Sequence, residues 1–371
     1  MSSPEISDSP PRSWVEINLS NLRHNLSVAR NASGCEIMAV VKAGAYGHGL
    51  EKISAVMESE GIAFLGVANV GEARRIQNSG VKLPIYLLGA TWEQEREEIV
   101  RRNLTPCIST LEEAASFNQI AKRLGINLPV HLAIDTGMGR GGFLPDELLE
   151  KVTKLLEYQS LSFEGIASHL SSSDEDKNFT AEQIEIFTET VGSLDDRLDF
   201  KWKHLFNSGG ILGYPKTICN LARPGLMIYG VSPLEQYQRQ LKTVMSLKSR
   251  VSLVRTVPKG HSISYGHTFV TDRPTRIATV GIGYGDGFPR LLSGKGARVS
   301  IRNTTHPIVG RVTMDQIVVR LPDNSEVKTG DEVELFGEEI PVTEIAMLAE
   351  TIPWEIFTGI TPRVKRRYLG Q

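Results

Sequence analysis

Lys42 ends the apolar run of AVVKAGAYGHG (39–49) and opens a stretch rich in glycine. A lysine that its own strand tries to bury is costly as a charge. One resolution is chemical: at the mouth of an apolar site it loses its proton readily, and its amine can form a Schiff base with a carbonyl. Alone, Lys42 reads more readily as a strand-end lysine whose stem reaches water. Its setting adds weight. Arg140, His169, Asn207, Ser208 and Arg223 also fall beside short apolar runs. FNSGG (206–210) and ARPGLMIYG (222–230) bring a hydroxyl and glycine N–H groups to the last two runs, the makings of a phosphate cradle. A lysine amine facing such a cradle is what pyridoxal 5′-phosphate requires: an imine at one end and an anion anchor at the other.

Those residues need elements to place them. The apolar runs EIMAVV, AFLGVA, PIYLLG, TPCIS, PVHLAID, FEGIASHL, KWKHLFN and GLMIYG alternate with amphipathic segments such as LEEAASFNQIAKRLG and PDELLEKVTKLLEY. Apolar positions in the latter recur at three and four, as a helix requires. Eight strand candidates with helical spacers predict a (β/α)8 barrel over residues 13–240, with an open doubly wound sheet as the structural alternative. Active sites of such barrels lie at the C-terminal ends of the strands, where Lys42 stands. From residue 241 to 371 the texture becomes β-branched and alternating, as in SLKSRVSLVRTV, ARVSIRN and DEVELFG. That predicts a mostly antiparallel β domain with little helix before its last thirty residues.

Composition narrows the class. At 371 residues, 40% hydrophobic and 23% charged, the chain suits a barrel plus a second domain. A formal charge of −2 gives no reason to expect a nucleic-acid or anionic-membrane partner. Three scattered cysteines, Cys35, Cys107 and Cys219, argue against a disulfide framework and fit a reducing, cytoplasmic compartment. The opening MSSPEISDSPPR (1–12) reads as a disordered segment with no signal-peptide core, and no run is long enough to span a bilayer.

The lysine segment resembles the cofactor-lysine signature of the pyridoxal-phosphate-dependent alanine racemases. The likeness continues in order through DTGMGRGGF, FNSGG, ARPGLMIYG, ISYGHTF, GIGYGDGFPR, GRVTMDQ, GDEVELFG and RVKRRY, from Trp14 to Tyr368. It implies a barrel followed by a β domain, pyridoxal 5′-phosphate as cofactor, and a homodimer whose sites are each finished by the partner's β domain. It also implies interconversion of L- and D-alanine, supplying D-alanine for peptidoglycan. By the same resemblance Lys42 and Tyr265 are the two catalytic bases, with Arg223 and His169 forming a chain toward Tyr265. Arg223 faces the pyridine nitrogen. Tyr46, Asn207, Ser208, Gly225 and Leu226 form or adjoin the phosphate site. Arg140 and the Met314 backbone hold the substrate carboxylate, while Tyr284 and Asp286 resemble entrance residues and read equally as structural ones.

Three positions depart from the family pattern: Gly44 for the usual asparagine, Ala133 where many members carry a carbamylated lysine, and Trp354 for a tyrosine lining the site. The last two leave substrate breadth open. With no carbamate beside it, Arg140 is expected to take another partner, a small bound anion foremost. Other classes compete. GMGRGG (137–142) formally matches a dinucleotide fingerprint but follows the fifth strand, not the first. His131, His169, His204 and Asp135 could hold a metal, although strand-end histidines more often hydrogen-bond; no metal is assigned. A non-catalytic pyridoxal-phosphate protein would share the barrel but not a β domain with Tyr265, and a broader amino-acid racemase would share both.

Overall fold

The computed structural model describes residues 11–194 and 196–370. Residues 1–10 of the segment expected to be disordered lie outside them. Arg12, at its end, is placed and pairs with Asp286. The chain divides into two units: Leu22–Lys242, and the described residues up to Asn21 with those from Thr243 onward. This corrects the expected start of the barrel at residue 13. Strand β1 (Ser13–Asn18) belongs to the second unit, because its two edges are taken there. It runs antiparallel to Met245–Val257, with Val15 opposite Leu247, and parallel to Lys365–Leu369, with Val15 opposite Arg366. Closeness in sequence to the first barrel helix hides pairings made by the far end of the chain.

The first unit carries β2 (Glu36–Val40), β3 (Phe64–Val67), β4 (Ile85–Leu87), β5 (Cys107–Ile108), β6 (Leu128–Ala133), β7 (Leu161–Ala167), β8 (Trp202–His204) and β9 (Leu221–Ala222). All their pairings are parallel. β2 pairs with β9, the first strand of the ring with the last. Thr105 exchanges hydrogen bonds with Ile85 and Leu87 across β4–β5, and the Asn220 and Arg223 N–H groups donate to Lys203 and Phe206 across β8–β9. The ring is therefore closed, and the open-sheet alternative falls. Met38, Phe64, Tyr86, Cys107, Ala133 and Leu221 pack together as one buried core cluster.

Helices begin where the sequence caps them. Asn69 and Thr110 accept from the N–H groups of Glu72 and Glu113, opening helices Val70–Asn78 and Leu111–Leu124. The second stops at Gly125, whose φ of 68° suits glycine. The eighth strand needs correcting. GLMIYG, read as that strand, is a 3₁₀ turn over Leu226–Tyr229, fully buried and hence apolar. The strand itself is the two-residue β9 before Pro224, too short to show a pattern. Arg223 and Gly225 thus follow the eighth strand instead of leading into it.

In the second unit come β10 (Met245–Val257), β11 (Ser262–Ile263), β12 (Phe269–Val270), β13 (Thr275–Val280), β14 (Arg298–Ile301), β15 (Thr304–Val309), β16 (Ile317–Leu321), β17 (Glu332–Phe336) and β18 (Lys365–Leu369). The main sheet runs β13-β16-β15-β14-β17-β10-β1-β18, and β10 also pairs with β13, closing a ring of six. A register shift between Val251 and Leu253 lets the long β10 serve both neighbours. All of these pairs except β1–β18 are antiparallel. Helices Val342–Leu348 and Pro353–Gly359 lie near the chain end, as predicted.

Candidate active site

Lys42 follows β2 and is half-buried. Beyond it the backbone takes a left-handed turn: Ala43, Gly44, Ala45, Tyr46 and Gly47 all have positive φ, from 53° to 77°. Such residues cost about 1–2 kcal/mol each when they are not glycine. Local bonds hold the turn, Ala45 N–H to the Val41 carbonyl and Gly47 N–H to that of Ala43. Glu72, nearly buried, accepts from the Gly44 and Ala68 N–H groups and ties the turn to helix Val70–Asn78. Burial pushes the Lys42 amine below its ordinary value, Arg140 and Arg223 press the same way, and Glu72 opposes them. Sequence reading missed Glu72, although Asn69-x-x-Glu72 is a visible capping pattern.

Arg223, after β9, is buried and binds backbone at the ends of β7 and β8. Its Nη2 donates to the carbonyls of Ser168 at 2.5 Å and Leu205 at 3.1 Å and reaches His169 Nδ1 at 3.2 Å. Its Nη1 donates to the His204 carbonyl at 2.7 Å and His204 Nδ1 at 2.8 Å. Because arginine only donates, both imidazoles must accept at Nδ1 and carry their proton on Nε2. His204 Nε2 then donates to His131 Nδ1, 2.8 Å away. Burial and the Arg223 charge press the pKa of His169 and that of His131 down to about 3, and push His204 well below its ordinary value. All three imidazoles are neutral at ordinary pH. The metal reading gains nothing here: His131 and His204 serve each other and Arg223. Among the described residues no three His, Cys, Asp or Glu groups could hold an ion. The Arg223 Nε–H keeps no partner among the described residues.

The anion cradle is also visible. Ser208 Oγ accepts from the Gly225 and Met227 N–H groups at 3.1 and 3.3 Å. A Cβ on Gly225 would lie 2.6 Å from the Tyr46 hydroxyl, so only glycine leaves that space open. Tyr46 stacks on Tyr229 at 4.7 Å, and Tyr229 donates to the Val40 carbonyl. Asn207 caps Ser208–Gly213 and donates to the Leu170 carbonyl, so its role is to place Ser208. Gly225 spends its N–H on Ser208, and the Leu226 N–H has no partner among the described residues. Lysine amine, unpartnered guanidinium Nε–H, serine and tyrosine hydroxyls and a glycine-kept space fit pyridoxal phosphate.

Arg140 lies in the loop whose turn Asp135 holds by accepting from Gly137 and Gly139. It is exposed, so water can serve it and the single chain requires no bound anion. In the second unit Tyr265 is 70% exposed, an unusual position for a large aromatic side chain. Its turn is strained, with φ near 64°, 75° and 50° at Ser264, Gly266 and His267. Ser264 Oγ donates to the Arg311 carbonyl, and Gly266 leaves no room for a side chain against the Arg311 guanidinium. Met314, also exposed, sits in a turn tied to Tyr284 and Gly285 through the Thr313 and Met314 carbonyls.

Comparison with known proteins finds relatives over nearly the whole chain. Residues 17–233 match the family model "Alanine racemase, N-terminal domain" and residues 244–368 match "Alanine racemase, C-terminal domain". The chain is 38% identical over 365 residues to alanine racemase of Halothermothrix orenii, covering 96% of each chain. Among solved structures, alanine racemase of Clostridium difficile 630 superposes with a TM-score of 0.92 at 36% identity, covering 98% of this chain and 97% of that one. The Bartonella henselae alanine racemase with covalently bound pyridoxal phosphate has a TM-score of 0.89 at 29% identity, covering 97% and 100%.

Proposed function

We propose, from the premise that the chain belongs to the alanine racemase family, that this pyridoxal-phosphate-dependent isomerase acts on alanine through two bases, Lys42 and Tyr265. The cofactor, when bound, supplies an electron-withdrawing ring that acidifies the α-hydrogen of alanine. Lys42 Nζ, kept readily neutral by burial, takes or returns that proton on one face. Return from the same face would regenerate the starting enantiomer, so a second base must work opposite. Tyr265 of the partner subunit is that base, and its exposure on an isolated chain supports the assignment. A free phenol titrates near pH 10. His169 Nε2–H, forced to be the donor by Arg223, stabilises the phenolate.

The other residues bind and orient. With the cofactor bound, Arg223 Nε–H would be the group that meets its ring nitrogen and, as a pure donor, would leave that nitrogen unprotonated. Ser208, Tyr46 and the Leu226 N–H hold the phosphate, with Asn207 and Gly225 shaping the space. Arg140 and the Met314 N–H of the partner subunit hold the substrate carboxylate. The enzyme works as a homodimer in the cytoplasm, where its unpaired thiols at Cys35, Cys107 and Cys219 fit. It supplies D-alanine for peptidoglycan.

The Arg223 hub carries this reading, because it fixes the tautomer of His169 and spares one donor for the ring. The test is Tyr265→Phe in deuterated water. Racemisation should fall by at least about a hundredfold, the usual worth of a positioned base. Solvent deuterium should still enter the enantiomer served by Lys42. Racemisation within a few-fold of the parent would remove Tyr265 from the mechanism.

A further inference from the structure

Asp286 is a carboxylate with 1% of its surface exposed, set between arginines from the two ends of the chain. Arg12 Nη2 lies 3.2 Å from Oδ2 and Arg363 Nε lies 3.4 Å from Oδ1. Arg363 Nη2 continues to Asp315 at 2.7 Å, and Arg12 Nη2 stands 3.7 Å from that same carboxylate. Two cations and two anions thus form one cluster. It straddles two loops, and both matter to the proposed site. Asp286 Oδ2 accepts from the Gly283 N–H at 3.0 Å, closing the loop GYGDG (283–287). The Tyr284 and Gly285 N–H groups donate to the Thr313 and Met314 carbonyls at 3.0 and 2.9 Å. The approach is close: a Cβ on Gly283 would strike both carbonyls, and one on Gly285 would meet the Met314 carbonyl at 3.0 Å and displace the Arg363 guanidinium.

The two peptides that flank the Met314 Cα are therefore both held, the one carrying its N–H by Tyr284 on the Thr313 carbonyl and the following one by Gly285 on the Met314 carbonyl, with Asp315–Arg363 anchoring the next residue. Its own N–H donates to nothing among the described residues. We infer that Arg12, Asp286, Arg363 and Asp315 are positioning residues that aim the Met314 N–H at the substrate carboxylate. The inference rests on the reading of that N–H as a carboxylate donor. The Asp315–Arg363 pair is exposed and screened by solvent, so a purely structural role predicts little effect from breaking it. A positioning role makes it felt in binding.

The experiment compares holoenzyme carrying Arg363→Gln, Asp315→Asn or Arg140→Ala with the parent. It measures KM and kcat for alanine and, by calorimetry, the affinity for propionate, a carboxylate without the reacting amine. Arg363→Gln should raise KM and weaken propionate by about tenfold, with kcat within a few-fold, as expected when a hydrogen bond to a charged group is misplaced. Asp315→Asn should do so more mildly at an unchanged melting temperature, and Arg363→Lys should recover part of the loss. Asp315→Asn keeps the test open if Arg363→Gln does not fold. Propionate weakened by Arg140→Ala but indifferent to both cluster variants would overturn the inference and spare the carboxylate-site reading. Indifference to all three would overturn both.

Discussion

Arg223 Nη1 and Nη2 are fully engaged by carbonyls and imidazoles at the ends of β7 and β8. Burial, with that charge beside them, settles the protonation of three histidines. His169, His204 and His131 must be neutral in the fold, although each would take up a proton near pH 6.5 when unfolded. Above that pH the folded and unfolded chains bind the same number of protons at these sites. Below it the unfolded chain binds more, so stability falls as pH falls toward the depressed folded values near 3. Each histidine can contribute about 1.4 kcal/mol per pH unit, and three together roughly 4. Between pH 6.5 and 5 most carboxylates have yet to titrate, so the loss in that window belongs to the histidines. Thermal unfolding from pH 7 to 5 should show a steadily falling midpoint. A flat midpoint would mean that these imidazoles accept protons within the fold.

The left-handed turn after β2 is an element whose oddity the sequence half reveals. AGAYG promises a break at its glycines, but left-handed backbone at Ala43, Ala45 and Tyr46 is visible only in the structure. Gly44 has φ of 65° with open space around its missing side chain, so its substitution is governed by backbone strain and not by a clash. Gly44→Asn should therefore be nearly neutral, because asparagine tolerates this conformation. Gly44→Val should cost at least about 1–2 kcal/mol and loosen Lys42, lowering kcat. Equal melting temperatures for the two variants would refute that reading of the turn. Other elements were legible wherever their periodicity was long: helix Leu111–Leu124, the long β10 and most of the barrel runs stand where the pattern places them. Reading failed at β9, where two residues make no pattern and a buried 3₁₀ turn imitates a strand. It failed again at β1, whose partners come from the far end of the chain. Lys42, His169 and Arg223 could be found by type and place. His204, His131 and Glu72 could not be assigned roles, because what they do depends on which neighbour faces which ring nitrogen or oxygen.

At the scale of the whole molecule, the proposed chemistry draws on both units. Lys42, His169 and Arg223 belong to the first unit, and Tyr265 and Met314 to the second. The proposal that one site joins the barrel of one subunit to the second unit of its partner is the central claim, and mixing two inactive variants tests it most directly. Lys42→Ala and Tyr265→Phe homodimers should each be nearly inactive. A mixed dimer, by its two-fold symmetry, has one site with both substitutions and one with neither. Unfolding and refolding an equal mixture should form such dimers in half of the population, and racemisation should recover to about one quarter of the parental rate. Absence of recovery, with mixed dimers demonstrated by mass spectrometry, would contradict a site shared between subunits.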